Sequence, residues 1–200
     1  MISCAHCSTS SGLRFRKPDT KKEIGSPPLE PDFLLRYTRA MLYVSTRGGA
    51  APSSFTDIVL QGLAPDGGLF VPMEWPRMEP LSDSDSYTDI AYKVISPFTT
   101  GCIPDTALKD ILRDTYTTSV FHDPDITPLR QLGNDLFLME LFHGPTLAFK
   151  DIALQFLGRV FDYLLEQNGQ RITIIGATSG DTGSAAIAAA NSVRSLVGFW

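Results

Sequence analysis

A single lysine, Lys150, stands where a long predicted helix begins, directly after the apolar residues Leu147, Ala148 and Phe149. The positive end of a helix dipole disfavours an ammonium group, and apolar neighbours disfavour it further because they remove water. Both effects favour the neutral amine, the nucleophile that forms a Schiff base with a carbonyl. Placement alone favours an ordinary surface lysine whose stem lies along the helix, and both interpretations stay open at this point.

A second candidate is the segment IIGATSGDTGSAAIAAA, residues 174–190, in which glycine and hydroxyl residues separate a predicted strand from a predicted helix. Backbone N–H groups at a helix start bind anions, which predicts an anion site built from Thr178, Ser179, Gly180, Asp181, Thr182 and Gly183. The segment has neither the Walker A pattern nor G-x-G-x-x-G. Because Asp181 would repel a polyphosphate, a carboxylate is the better ligand. The alternative is a turn whose glycines serve backbone geometry only.

Other polar residues carry weaker signals. Ser45, Thr46 and Arg47 are consecutive, and arginine is suited to two-point contacts with phosphate or carboxylate. His143 could end a strand with its ring bonded to the backbone, and Asp151 is a suitable helix N-cap.

Apolar periodicity predicts that an α/β chain positions these residues. Helices are expected at 55–63 (with Ser54 as N-cap), 86–97, 104–117, 151–169 and about 182–192. Strands are expected within 42–49, 64–72, 135–142 and 171–176. The last of these is almost continuously apolar, as in a sheet covered on both faces. The order strand, helix, strand, loop, helix is typical of a parallel α/β sheet.

The composition predicts a globular protein with a substantial core. The chain has 200 residues, of which 43% are hydrophobic and 20% charged, and its net charge is −5. An acidic chain without a basic stripe is not expected to bind nucleic acid. No apolar run reaches the ~18 residues of a membrane span, so no membrane association is expected. Three cysteines make a poor disulfide framework, which favours a cytoplasmic location or another reducing compartment.

Residues 1–40 are rich in serine, proline and basic residues and lack an apolar period. We expect this stretch to be disordered or an upstream extension, with Met41 as the true start. Cys4, His6 and Cys7 could supply three zinc ligands, but a structural site needs four, so no metal is predicted. If the stretch were instead a transit peptide, the protein would function in an organelle matrix.

Four stretches, in this order, resemble the threonine synthase family of pyridoxal-phosphate (PLP) enzymes: YVSTRGG (43–49), GLAPDGGLFVP (62–72), ELFHGPTLAFKDIALQFLG (140–158) and GATSGDTGSAA (176–186). The resemblance runs from about Met41 to Asn191. It implies the α/β fold of the tryptophan-synthase-β group, fold type II, with an incomplete parallel sheet and a small N-terminal α+β subdomain. The implied domains are 41–128, the family's N-terminal domain, and 129–200, the start of the catalytic domain.

The resemblance also implies a role for each candidate residue. Lys150 would hold PLP as a Schiff base and shuttle protons, and Asp181 would lie beside the ring oxygen of the cofactor. The loop from Thr178 to Gly183 would bind the substrate carboxylate, and Ser45, Thr46 and Arg47 would contact the substrate phosphate. Members of the family convert O-phospho-L-homoserine and water to L-threonine and phosphate, with PLP as the electron sink.

One departure from the family pattern limits these expectations. The glycine-rich cup for the PLP phosphate and the hydroxyl residue facing the pyridine nitrogen are not found after Ala190, where the chain reads NSVRSLVGFW. We therefore expect a fragment that binds PLP weakly or not at all, with Ile172, Ile174 and Val197 poorly covered. Two alternatives stay open: a threonine-synthase-like phospholyase that releases 2-oxobutyrate, and a non-catalytic remnant that acts as a binding module. The sequence does not indicate the oligomeric state.

Overall fold

The computed structural model describes residues 40–178, 180–194 and 196–199, the last of these as backbone only. The predicted extension with Cys4, His6 and Cys7 lies outside the described residues, and so do Ser179 and the side chain of Val197.

A three-stranded antiparallel sheet begins the described chain. Its strands are β1 (Leu42–Ser45), β2 (Ser53–Ser54) and β3 (Phe70–Pro72), and β1 lies in the middle. Helix α1 (Phe55–Gln61) follows β2 directly. Ser54 caps this helix as predicted, because its hydroxyl accepts the Asp57 N–H and the Asp57 carboxylate accepts the Ser54 N–H.

Two helices follow, α2 (Tyr87–Thr99) and α3 (Asp105–Thr115). Both agree with the predicted segments to within two residues. Ser86 and Asp89 form a second capping box at the start of α2. Pro104 immediately precedes α3, where its missing N–H costs no helical hydrogen bond.

The main core joins these helices to the long helix α4 (Lys150–Gln167). Six buried apolar side chains form it: Ile103, Leu108, Ile111, Leu112, Val160 and Leu164. Their apolar area leaves water when α3 packs on α4, which is the main stabilising contribution here. The core therefore includes residues from both sides of the boundary predicted at 128.

A two-stranded antiparallel hairpin lies between α3 and α4. It consists of β4 (Leu129–Gln131) and β5 (Phe137–Met139), so the strand predicted for 135–142 is shorter than expected. All six strand residues are exposed. An isolated hairpin of this size buries neither face, so it leaves a large apolar surface accessible.

The C-terminal elements form a parallel unit: β6 (Ile172–Ile175), α5 (Asp181–Asn191) and β7 (Leu196–Phe199). Ile172 and Ile174 are partly buried and pack against the cluster of Leu165 and Ala190. These two side chains are therefore better covered than the sequence led us to expect. The neighbouring Ile175 is 77% exposed, so this strand is covered on one face only. The sheet covered on both faces that the sequence predicted is not found among the described residues.

Helices α4 and α5 run side by side. Because β6 and β7 are parallel, α5 must run back against their direction, and the short turn between α4 and β6 gives α4 the same direction. Gly158 allows a close approach: a Cβ there would lie 3.2 Å from the Ala189 carbonyl oxygen and 3.4 Å from the Ala189 Cβ. Each of these residues is about two turns from the start of its helix. Both helices therefore begin at the same edge, beyond the carboxyl ends of the strands.

Candidate functional site

Lys150 is the first residue of α4, and Phe149 occupies the N-cap position. The lysine is partly buried, and its amine lies 4.6 Å from the centroid of the Phe149 ring. Within the described part of the chain it forms no ion pair. Among the neighbours predicted to exclude water, Ala148 is buried, but Leu147 is 66% and Phe149 57% exposed. Only part of the predicted desolvation is therefore found, whereas the helix N-terminus is where the sequence placed it.

Asp151 differs from the sequence expectation. It is not the N-cap of α4 but lies inside the first turn, fully buried. Its carboxylate accepts hydrogen bonds from the Thr146 N–H and the Thr146 hydroxyl, both at 2.8 Å. The carboxylate therefore accepts hydrogen bonds from the loop that precedes the helix and not from the first N–H groups of the helix itself.

The predicted anion loop leads into α5. Thr178 is exposed, Gly180 is the N-cap with φ of 79°, and Asp181 is exposed in the first turn. A positive φ favours glycine, which explains Gly180 by backbone geometry. Thr182 is partly buried and Gly183 is buried. Gly183 packs so closely on Thr178 that a Cβ at position 183 would overlap the Thr178 side chain. Among the described residues no side chain caps α5, and the first N–H groups of a helix bind anions.

The two strongest sequence candidates therefore lie at the starts of adjacent helices. Lys150 begins α4 and Asp181 begins α5, at the edge that the carboxyl ends of the strands share. In open α/β sheets this edge is where ligands bind.

The side chains of Ser45, Thr46 and Arg47 form hydrogen bonds with residues of the turn before β3. The Ser45 hydroxyl lies 2.7 Å and 2.8 Å from the two carboxylate oxygens of Asp66, and Arg47 Nη1 donates to the Asp66 carbonyl at 2.9 Å. The Thr46 hydroxyl accepts the Leu69 N–H at 3.0 Å. These bonds connect β1 to the turn before β3, and the phosphate contact expected of the three residues stays a prediction.

Asp66 is a residue that sequence analysis missed. Besides Ser45, the N–H groups of Gly49 and Gly68 donate to its carboxylate. The hydrogen bond from Ser45, followed by that from Gly68, lowers the pKa of Asp66 below its usual 3.8. The Asp-Gly pair in the sequence signalled a turn, but nothing in the pattern identified Ser45 as its partner.

His143 also has a partner that the sequence did not reveal. Its Nε2 lies 2.8 Å from Glu140 Oε2, so the ring bonds to a side chain and not to the backbone as expected. The other oxygen of Glu140 lies 3.4 Å from Arg130 Nε on the neighbouring strand. This network ties the hairpin to the loop before Lys150.

Two further properties of the described residues concern membrane spans and metal sites. No helix in the described ranges is both long and apolar enough to cross a membrane. Within the same ranges, no three or more His, Cys, Asp or Glu side chains are grouped so that they could hold a metal ion.

Comparison with known proteins identifies relatives. Residues 42–116 match the family model for the threonine synthase N terminus. Threonine synthase from Pseudomonas aeruginosa is 51% identical over 152 residues, which cover 74% of this chain and 32% of that protein. Threonine synthase-like 2 from Xenopus laevis is 38% identical over 152 residues, with 74% of this chain and 32% of that protein covered. The chain thus spans about one third of the length of the curated relatives it matches.

A solved structure is similar in fold as well. The crystal structure of PLP-bound threonine synthase from Brucella melitensis superposes with a TM-score of 0.74 at 45% identity, over 80% of this chain and 35% of that one. Over the matched residues, the chain is therefore a relative of the threonine synthases in sequence and has the corresponding portion of their fold-type-II α/β architecture.

Proposed function

We propose that this chain carries the lysine-bearing part of a threonine synthase, an enzyme that converts O-phospho-L-homoserine and water to L-threonine and phosphate. The observation that carries the proposal is the position of Lys150 at the start of α4, beside the glycine-rich start of α5. A nucleophilic amine and an anion-binding helix start at one edge suit an amino-acid substrate whose carboxylate must be held while its carbon atoms react.

The residues present fit the covalent end of PLP. The Lys150 amine has no carboxylate partner in the described part of the chain, and the exposed Phe149 and Leu147 offer apolar surface beside it. Lys150 would attach the cofactor, and Asp181 would lie beside its ring oxygen. When bound, PLP supplies an electron sink for carbanion chemistry.

Each residue would then have a defined task. The Lys150 amine would accept a proton from Cα of the substrate, give that proton up again, and only then, as a neutral amine once more, accept one from Cβ. The N–H groups of the loop Thr178, Ser179, Gly180, Asp181, Thr182 and Gly183 would hold the substrate carboxylate. Ser45, Thr46 and Arg47 would hold the phosphate if the Asp66 contacts rearrange. The division into domains at 41–128 and 129–200, and a cytoplasmic or organelle-matrix location, belong to the same proposal.

A phospholyase that releases 2-oxobutyrate from the same substrate is the second candidate. Such an enzyme would use the same lysine and loop. Identity to the threonine synthase from Pseudomonas aeruginosa is 51%, against 38% to threonine synthase-like 2 from Xenopus laevis. We therefore favour threonine as the product.

Product analysis decides between these candidates. The protein encoded by the complete gene is incubated with PLP and O-phospho-L-homoserine, and threonine, phosphate and 2-oxobutyrate are measured. We expect threonine and phosphate in equal amounts and no turnover by Lys150→Ala, while Lys109→Ala remains active. Formation of 2-oxobutyrate would instead establish the phospholyase. Absence of both products, with no rescue of a threonine auxotroph, would favour a non-catalytic binding module.

A further inference from the structure

The buried carboxylate of Asp151 holds the loop that leads to Lys150. Asp151 is completely inaccessible to solvent, and each of its two oxygens accepts one hydrogen bond from Thr146. A buried carboxylate is tolerated only when it is hydrogen-bonded, and the start of a helix stabilises it further. The Asp151–Thr146 pair therefore joins the first turn of α4 to the loop of residues 144–149.

The same loop is shaped closely around the carboxylate. A Cβ at Gly144 would lie only 2.5 Å from Asp151 Oδ2, so no other residue fits there without movement. The Leu147 N–H bonds to the Gly144 carbonyl at 3.1 Å, which closes a turn over Thr146.

Leu147 is strained by this arrangement. Its φ is 59°, a left-handed conformation that is unfavourable for leucine, and its side chain is 66% exposed, so its own burial contributes little to compensate. A strained residue persists only where surrounding bonds determine its conformation. In this loop those bonds are the turn from Gly144 to Leu147 and the pair of Asp151 with Thr146.

The loop ends at the ring that the lysine contacts. Phe149 is the N-cap of α4, and the Lys150 amine lies 4.6 Å from its ring centroid. Movement of the loop would move Phe149 and with it the surface against which the amine rests.

We propose that Asp151 is a positioning residue, which by holding Thr146 keeps the loop 144–149 in the conformation that presents the Lys150 amine to an aldehyde. This inference rests on the role proposed for Lys150. Asp151 acts through the loop and does not itself touch the cofactor or the substrate.

The test uses the full chain with PLP as the probe and borohydride to reduce the carbon–nitrogen double bond formed at a lysine. The reduction traps even a weakly bound aldehyde. Peptide mass spectrometry then gives the ratio of label on Lys150 to label on Lys109. Lys109 is a matched internal control, because its amine lies 4.5 Å from the ring centroid of Tyr92.

Three variants separate the hydrogen bonds from general packing. Asp151→Asn removes one acceptor at constant size, Thr146→Val removes the hydroxyl but keeps the N–H, and Thr146→Ser keeps both donors. We expect the wild-type ratio to favour Lys150 and to fall about tenfold in Asp151→Asn and Thr146→Val, since displacing a reacting group by ~1 Å costs up to about a hundredfold. Thr146→Ser should retain the wild-type ratio. Circular dichroism and an unchanged label on Lys109 show that each variant is folded; if Asp151→Asn does not fold, the two Thr146 variants carry the test.

The possible failures are distinguishable. An unchanged ratio in folded Asp151→Asn and Thr146→Val would overturn the positioning role and leave the proposed function intact. Equal labelling of Lys150 and Lys109 in the wild type would overturn the proposed attachment of PLP, and the positioning role with it. A loss in Thr146→Ser as large as in Thr146→Val, although serine keeps both donors to Asp151, would show that these hydrogen bonds do not by themselves hold the loop, which also contradicts the proposal.

Discussion

At the scale of single residues, Asp66 shows how one carboxylate organises a turn that the sequence had connected with substrate binding. It accepts hydrogen bonds from Ser45, Gly49 and Gly68. These bonds favour its charged form, so the pKa of Asp66 in the folded chain is lower than 3.8, its ordinary value. Folding stability should therefore depend on the ionisation of this side chain.

Asp66→Asn should lower the stability of the chain at neutral pH but much less in acid. Because the folded pKa lies below the unfolded one, the contribution of Asp66 is fully present above 3.8 and is lost as the pH falls through the lower, folded pKa. Urea unfolding midpoints of wild type and variant, measured at about pH 7 and about pH 2, should differ more at the higher pH.

The same substitution at Asp83, an exposed aspartate, is the matched control and should change the midpoint little at either pH. An equal loss of stability at both pH values for Asp66→Asn would show that the geometry of the side chain, and not its charge, stabilises the turn.

At the scale of elements, the helices and most strands could be predicted because their signals are local. The capping serine at Ser54, the Asn-Gly stop after α4 and the apolar period of α4 all act within a few residues. The hairpin strand was predicted too long, because the alternation in 135–142 does not show where a pairing partner ends. The contact between α4 and α5 was not predicted, since it depends on residues distant in the sequence.

Gly158→Leu should separate α4 from α5 and destabilise the chain. The glycine is buried, and an added side chain would meet the backbone and Cβ of Ala189. Overpacking of this kind typically costs about 1–3 kcal/mol, which guanidinium or urea unfolding would measure.

Ala153→Leu is the matched control, because Ala153 is exposed on the same helix and should change stability by less than about 0.5 kcal/mol. Equal stability of Gly158→Leu and Ala153→Leu would mean that the two helices do not pack closely at Gly158.

At the scale of the whole molecule, exposed apolar surface is the main feature. The hairpin patch, defined by six side chains that are 46–62% exposed, comprises Leu129, Leu132, Leu136, Phe137, Leu138 and Met139. Exposed apolar side chains on a hairpin promote association, particularly along an open strand edge.

We expect the chain to self-associate at concentrations of about micromolar and above through the hairpin patch. Sedimentation velocity should show less association for the double variant Phe137→Lys and Met139→Lys, because the two charges must lose water on contact. The same charge added at the exposed Met78 and Leu81, outside the patch, serves as the control. If both double variants reduced association equally, net charge and not the patch would be responsible.

The sequence by itself determined what depends on neighbouring residues: Lys150 at a helix start, a glycine-rich loop before the next helix, and the resemblance that those motifs carry. Only the tertiary structure decided that the two helices begin at one edge, that the Ser45 hydroxyl bonds to the Asp66 carboxylate, and that Asp151 is buried and bonded to Thr146. The reason is physical. Helix and turn preferences arise from interactions a few residues apart, whereas burial and side-chain partners depend on which distant segments the core brings together.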